Sequence, residues 1–266
     1  VTPVNAVNAL EIENLTVTYG RDVVVDDVSL VLPAGTTLGL VGESGSGKTS
    51  IASAAVGLVS PASGAIRVEG VDVRGRTAAA AGARRRMQLV FQDPFSALDP
   101  RMAIGDSIAE ATRATGRRWT RSDKETRVRQ LLDRVRIDPD RAHELPSAFS
   151  GGQRQRITIA RALAGEPTVL IADEVTSALD VSVQGTILNL LRELQEQLGL
   201  SMLFISHNLA VVRYVSDRIC VLRDGRVVEQ GDTDQVVRHP ANPYTRALLD
   251  AVPVLGRRLE FPEDAA

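Results

Sequence analysis

The sequence predicts an α/β fold: a parallel sheet covered on both faces, with a block of helices inserted into it. Three observations predict this. Leu38–Val41, Thr168–Ala172 and Ser201–Ile205 are short runs that read as buried strands. The first of them feeds a glycine-rich loop and then a helical stretch from Lys48 to about Gly57. From about residue 93 to 165 the strand texture stops and the pattern becomes mainly helical.

A chain of 266 residues can hold one large α/β domain, or a domain carrying a sizeable insertion. Its formal net charge of −2 supplies no global basic field, so no nucleic-acid partner is expected. The single cysteine, Cys220, excludes an intrachain disulfide and any cysteine-built metal cluster. Its setting in Ile219–Leu222 reads as a buried strand residue, and a reducing cytosolic environment fits. No apolar stretch reaches the roughly 18–20 residues needed to cross a bilayer. Val1–Asn5 lack the charged segment and apolar core of a secretory leader. Work at a membrane would therefore require docking onto other chains.

Taken in order, Leu10, Ile12, Leu15, Val17 and Tyr19 flank an expected turn at Glu13–Asn14, and Val23–Leu32 is a strand rich in β-branched residues. Ile66–Val68 and Val71–Val73 flank Glu69–Gly70 as a hairpin, and Gln88–Phe91 is a further strand. In the helical block, Ser122 is the expected N-cap of a helix that repeats Val128, Leu131, Leu132 and Val135 at helical spacing. Ile187–Leu198 is a helix, and Arg218–Val228 reads as two strands joined by Asp224–Gly225. From His239 the chain becomes a polar, proline-containing tail with one short helix near Tyr244–Ala251. The expected division is a domain over residues 1–238, with a helical subdomain at about 93–165, and a C-terminal tail over 239–266.

Gly42-Glu43-Ser44-Gly45-Ser46-Gly47-Lys48-Thr49 fits G-x-x-x-x-G-K-[ST] and lies between a strand and a helix, the context this phosphate-binding loop requires. Its glycines allow backbone N–H groups to wrap phosphate oxygens, and the helix N-terminus adds positive potential. Lys48 then neutralises the β- and γ-phosphates of ATP, and the Thr49 hydroxyl ligates Mg²⁺. Val169–Ala172 ends in Asp173 and Glu174, at the strand edge where α/β sheets place ligands. Asp173 is expected to hold Mg²⁺, directly or through water, and Glu174 to polarise the attacking water. Taken alone, such a strand ending is common.

Phe149-Ser150-Gly151-Gly152-Gln153-Arg154-Gln155-Arg156 resembles the signature motif of the ABC (ATP-binding cassette) superfamily. A glycine turn capping a helix gives four such residues too, but here they stand between the phosphate loop and the carboxylate strand, as in that family. The resemblance covers essentially the whole chain and implies a P-loop NTPase (RecA-like) core with an antiparallel β subdomain and an inserted helical subdomain. It also implies a head-to-tail dimer in which ATP lies between the phosphate loop of one subunit and Ser150, Gly151, Gly152 and Gln153 of the other. By the same resemblance Tyr19 stacks on adenine, although a strand-edge tyrosine would look alike. Gln92 senses Mg²⁺ and water, Asp180 lies in the loop that crosses the dimer interface, and His207 contacts the γ-phosphate. Phe149, Val175 and Asn208 depart from the commonest family residues Leu, Pro and Asp. None of these removes a catalytic group, so an active ATPase is expected.

Val90–Arg101, Ser177–Gln184 and His239–Leu249 resemble the oligopeptide/dipeptide/nickel importer branch, and within it the second of two paired ATPases. The tail discriminates best, although a terminus with an amphipathic turn would read similarly. The resemblance implies a motor for di- or oligopeptide import on the cytoplasmic face of the membrane. Its partners would be a second ABC ATPase subunit, two integral-membrane permeases and an extracytoplasmic solute-binding protein. Phe95 and Leu98 fit either permease contact or core packing. Nickel, glutathione or another small solute would fit the same motor. A soluble ABC ATPase acting on DNA or ribosomes is the alternative of a different class.

Overall fold

Alternating apolar residues lay one face of the first sheet on the core. The computed structural model describes residues 8–93 and 97–251. Strand β1 (Asn8–Tyr19) buries Leu10, Ile12, Leu15 and Val17, and β2 (Asp22–Pro33) buries Val25, Val28, Leu30 and Leu32. The two pair antiparallel. On its other edge β1 pairs antiparallel with β4 (Ser63–Val68), which turns through Glu69 and Gly70 into β5 (Val71–Asp72). The turn expected at Glu13–Asn14 is corrected: β1 continues for 12 residues and takes up Asn14 as an irregularity at φ 46°. Asparagine tolerates that left-handed conformation better than most residues. Here its side chain also donates to Asp27 Oδ1 at 2.7 Å and its N–H to Ser29 Oγ at 2.9 Å.

The second sheet has the order β10-β9-β3-β8-β7-β6. Its strands are β3 (Thr37–Val41), β6 (Met87–Val90), β7 (Val169–Asp173), β8 (Ser201–Ser206), β9 (Arg218–Arg223) and β10 (Arg226–Asp232). Every residue of β3, β7 and β8 is buried, which is why these strands read as continuous runs rather than alternating ones. All neighbours pair parallel except β10, which returns antiparallel from β9 through Asp224–Gly225. Register does the functional work. Val41 lies opposite Ser206, and Asp173 opposite Ile205. The chain therefore leaves the sheet at Gly42, Glu174 and His207 along one carboxyl edge, where α/β sheets collect ligands.

Between β6 and β7 the described residues form helices Ile104–Ala111, Arg121–Arg134 and Gly151–Leu163, with short 3₁₀ turns and no strand. Ile104, Ile108, Val128, Leu131, Leu132, Val135 and Ile157 join one core with residues under the sheet. A second core lies between the two sheets. Thr120, not Ser122, caps the second of these helices. Its hydroxyl accepts the Asp123 N–H while Asp123 accepts the Thr120 N–H, a reciprocal box; Glu125, which stands at the matching position for Ser122, pairs with Arg121 instead. Helix Val181–Leu198 starts at Val181 rather than Ile187, because the extended Asp180 presents its carbonyl to the N–H groups of Val183 and Gln184.

Leu98 is 3% exposed and belongs to the core, which settles its two readings in favour of packing; Phe95 lies outside the described residues. Cys220 is fully buried, and burial pushes its thiol up to about 12. No helix of the described residues is long and apolar enough to cross a membrane. Past the helix Thr233–Arg238, the helix Pro243–Asp250 folds back onto the domain and buries Tyr244 and Thr245.

Candidate active site

Gly42–Thr49 connects β3 to the helix Lys48–Ala55. The loop closes on itself through the Ser46 N–H, which donates to the Glu43 carbonyl at 3.2 Å. Its outer face is clamped by the β9–β10 hairpin, where the Gly225 N–H donates to the Ser46 carbonyl at 3.1 Å. At Gly42 and Gly47 the surrounding backbone leaves no room for a side chain. A Cβ on Gly42 would stand 2.1 Å from the Leu222 carbonyl oxygen, and one on Gly47 (φ 102°) 2.7 Å from that of Val24. Lys48 is 4% exposed, and its Nζ donates to the carbonyls of Gly42 and Glu43, each at 2.8 Å. Burial pushes its ammonium below the ordinary lysine value, while the charges of Glu174 and Asp173 pull the other way. Ser44, Gly45 and Thr49 remain exposed.

Asp173 ends β7 almost wholly buried, with its Oδ1 left without a hydrogen-bond partner. Burial raises its pKa above the ordinary aspartate value, and the charge of Glu174 adds to that; a hydrogen bond from Thr49 and the charge of Lys48 oppose it. A buried, unpaired carboxylate oxygen beside a threonine hydroxyl is a hard-donor pair that fits Mg²⁺. Among the described residues no group of three or more His, Cys, Asp or Glu could hold a metal by itself. A cation here would share its coordination with phosphate and water.

Glu174 follows at φ 46°, a conformation unusual for a residue of this size. It is held by its N–H donating to the Ile205 carbonyl at 2.9 Å. Its Oε1 lies 3.2 Å from His207 Nδ1. Gln92 joins from the end of β6: its Nε2 donates to Ser177 Oγ at 3.2 Å, and that hydroxyl donates to the Glu174 carbonyl at 2.9 Å. Lys48, Thr49, Asp173, Glu174, His207 and Gln92 thus form one connected group. Tyr19 ends β1 and is 49% exposed.

Residues 150–153 have other neighbours. Ser150 caps the helix Gly151–Leu163 by a reciprocal box with Gln153, at 3.3 Å and 3.0 Å. A Cβ on Gly152 would meet Val183 Cγ1 at 2.5 Å, so the helix start is pressed against the segment that follows Asp180. Asp180 is exposed and its side chain makes no cap hydrogen bond. The family departures also find places. Phe149 is buried under the Arg141 guanidinium, 4.1 Å from the ring centroid. Asn208 caps the helix Leu209–Val215 by accepting the N–H groups of Ala210 and Val211. Val175 is 1% exposed.

Residues 25–177 match the profile of the family described as ABC transporter. The chain belongs to the ABC transporter family. It is an ABC-type, ATP-binding ATPase, and residues 228–265 of this cassette also match the oligopeptide/dipeptide transporter C-terminal region. A Brucella ovis protein with the provisional name peptide import ATP-binding protein is 48% identical over 231 residues, covering 86% of this cassette and 73% of the relative. A Brucella abortus protein of the same provisional name is 52% identical over 231 residues, covering 86% and 69%. Among solved structures, cbiO1 from Clostridium perfringens, part of the cbiONQ transporter complex, superposes with a TM-score of 0.78 at 26% identity, covering 87% of the cassette and 91% of that chain. The dimeric ATP-binding cassette MJ0796, bound to ADP and phosphate, gives 0.74 at 27% identity, covering 84% and 98%. The fold expectation, a P-loop core with an antiparallel β subdomain and inserted helices, therefore stands.

One residue at the site escaped sequence reasoning. Tyr244, 201 positions beyond Glu43, reaches the phosphate loop with its hydroxyl. No local pattern signals a contact across that separation.

Proposed function

We propose that this cassette hydrolyses ATP to drive import of di- or oligopeptides through a membrane transporter. The observation that carries the cargo reading is the match of residues 228–265 to the oligopeptide/dipeptide transporter C-terminal region, in a chain whose phosphate loop and carboxylates are intact. The names carried by the Brucella relatives agree with it.

In this reading Gly42–Thr49 wraps the phosphates, with backbone N–H groups and the Lys48 ammonium meeting their charge. Thr49, Asp173 and Gln92 would hold Mg²⁺, which when bound neutralises phosphate charge as the bond to the leaving ADP oxygen breaks. Glu174 orients a water and takes its proton as the water oxygen bonds to the γ-phosphorus. His207 fixes the Glu174 carboxylate and reaches the γ-phosphate. Gln92 reports the state of this group, through Ser177, to the helical block. Tyr19 stacks on adenine. Ser150, Gly151, Gly152 and Gln153 offer a capped helix start to the ATP of a second subunit, and Asp180 lies at that interface. Two permeases and an extracytoplasmic binding protein complete the assembly, which holds the cassette on the cytoplasmic face of the membrane.

Gentle solubilisation of membranes from cells carrying a tagged chain, followed by mass spectrometry, tests this reading. Two multi-span permeases, a second ATPase and a peptide-type binding protein should co-purify. Recovery of ribosomal or DNA-repair proteins without a permease would leave the ATPase and remove the importer.

A further inference from the structure

The phosphate loop is held from behind by two elements that come late in the chain. One is the β9–β10 hairpin already described. The other is the helix Pro243–Asp250, whose Tyr244 hydroxyl accepts the N–H of Glu43 at 3.2 Å. Glu43 is the second residue of the loop, and both ends of its backbone are engaged. Its N–H goes to Tyr244, and its carbonyl accepts from Lys48 Nζ at 2.8 Å and from the Ser46 N–H at 3.2 Å. Tyr244 is itself fixed. The residue is 8% exposed, and its ring lies under the guanidinium of Arg223, 4.9 Å from the centroid, on the strand that leads into the Gly225 clamp. Its helix is anchored by Asn242 Oδ1, which accepts the Tyr244 N–H at 2.9 Å, and by Glu229, which accepts the N–H groups of Ala241 and Asn242 at 2.7 Å and 3.0 Å.

We propose that Tyr244 is a positioning residue for nucleotide binding: its hydroxyl holds the Glu43 peptide, and with it the Lys48 ammonium, in the phosphate-wrapping arrangement before nucleotide arrives. The physical reason is preorganisation. A loop already ordered does not have to be ordered by its ligand, so affinity falls when a restraint on the free loop is lost. Docking of the C-terminal helix and the shape of the phosphate loop become one event. A partner that moved this helix would change nucleotide affinity without touching the site.

Tyr244→Phe is the test, because it keeps the ring and deletes only the hydroxyl. It rests on the phosphate-binding reading of the loop, and binding of ADP by the unmodified chain checks that reading separately. Three quantities are measured on the full chain: the Kd for ADP, kcat at saturating ATP, and hydrogen exchange at the Glu43 amide and along 245–250. Loss of one net hydrogen bond from the free loop should weaken ADP about 2- to 10-fold. Glu43 exchange should quicken, while kcat and the protection of 245–250 stay as in the unmodified chain. Unchanged ADP affinity with unchanged Glu43 exchange overturns the proposal. So does a uniform loss of protection through the C-terminal helix, which would make the hydroxyl a general packing group. Tyr244→Ala, which also removes the ring, should weaken ADP at least as much; full affinity in that variant overturns the proposal too.

Discussion

His207 Nδ1 and Glu174 Oε1 stand 3.2 Å apart, one residue beyond the ends of neighbouring parallel strands. Sheet register sets that separation: Asp173 pairs with Ile205, so Glu174, one residue past Asp173, and His207, two past Ile205, leave over the same carboxyl edge. The positive φ of Glu174 and its N–H bond to Ile205 fix the direction in which the carboxylate leaves the strand.

Glu174→Gln should separate binding from chemistry. The amide keeps the size and a hydrogen-bonding oxygen for His207 but is not a base. ATP binding should persist, phosphate release should fall by at least about 100-fold, and ATP should trap a dimer visible by light scattering. Turnover near that of the unmodified chain would remove Glu174 from the proton-accepting role.

Lys48→Ala removes the charge and the two bonds to the Gly42 and Glu43 carbonyls together. Nucleotide affinity should fall by about tenfold or more, the scale of a lost charge-assisted bond. Equilibrium binding of a fluorescent ATP analogue measures it, with circular dichroism confirming that the variant is folded. Undiminished binding would contradict the phosphate-loop reading.

Asn208 stands where the family more often has Asp, and its geometry explains the tolerance: its Oδ1 caps Ala210 and Val211 without a charge. Asn208→Asp should therefore be nearly neutral in stability. Asn208→Ala should cost about 1 kcal/mol, the usual worth of such a cap. Urea denaturation decides between them, and equal losses for both variants would show that the cap is not what the side chain supplies.

Those three sites differ in how far the sequence disclosed them. Gly42–Thr49, Asp173, Glu174 and His207 were legible because each sits at the end of a buried apolar run, and strand ends of a parallel sheet meet at one edge. The hairpins at Glu69–Gly70 and Asp224–Gly225 were legible for a local reason, residues that accept positive φ. The turn expected at Glu13–Asn14 became an irregularity inside β1, because cross-strand partners on β2 and β4 outweigh a local turn preference. Thr120 and Ser122 both have an acidic residue at the position a capping box requires, Asp123 and Glu125, so the sequence alone does not choose between them; the structure closes the box at Thr120, and Glu125 bonds Arg121. The helix that carries Tyr244 was legible, but its contact with the phosphate loop was not. A hydroxyl that meets a backbone N–H across 201 positions leaves no periodicity or spacing behind it.

Asp173 gives the last prediction, which concerns pH. Burial raises its folded-state pKa above that of the unfolded chain, so folding favours the protonated form. The stability tied to that proton is fully present below the unfolded-state pKa and is lost as pH rises through the raised folded-state value. Asp173→Asn carries no titrating group there. Without nucleotide, the stability of the unmodified chain minus that of Asp173→Asn should become more negative as pH rises through this window. Taking the difference cancels the titrating groups that do not interact with Asp173, leaving Asp173 and its coupled neighbours Lys48 and Glu174. Binding of nucleotide with Mg²⁺ should show the opposite trend, weakening as pH falls through the same window, because proton and cation compete for one carboxylate. Urea midpoints and ADP titrations on both proteins, at matched pH values from acid to neutral, check the two trends together. A stability difference that stays flat with pH would mean that the carboxyl is not desolvated, and would remove the basis for its holding a cation in an ionised, unpaired state.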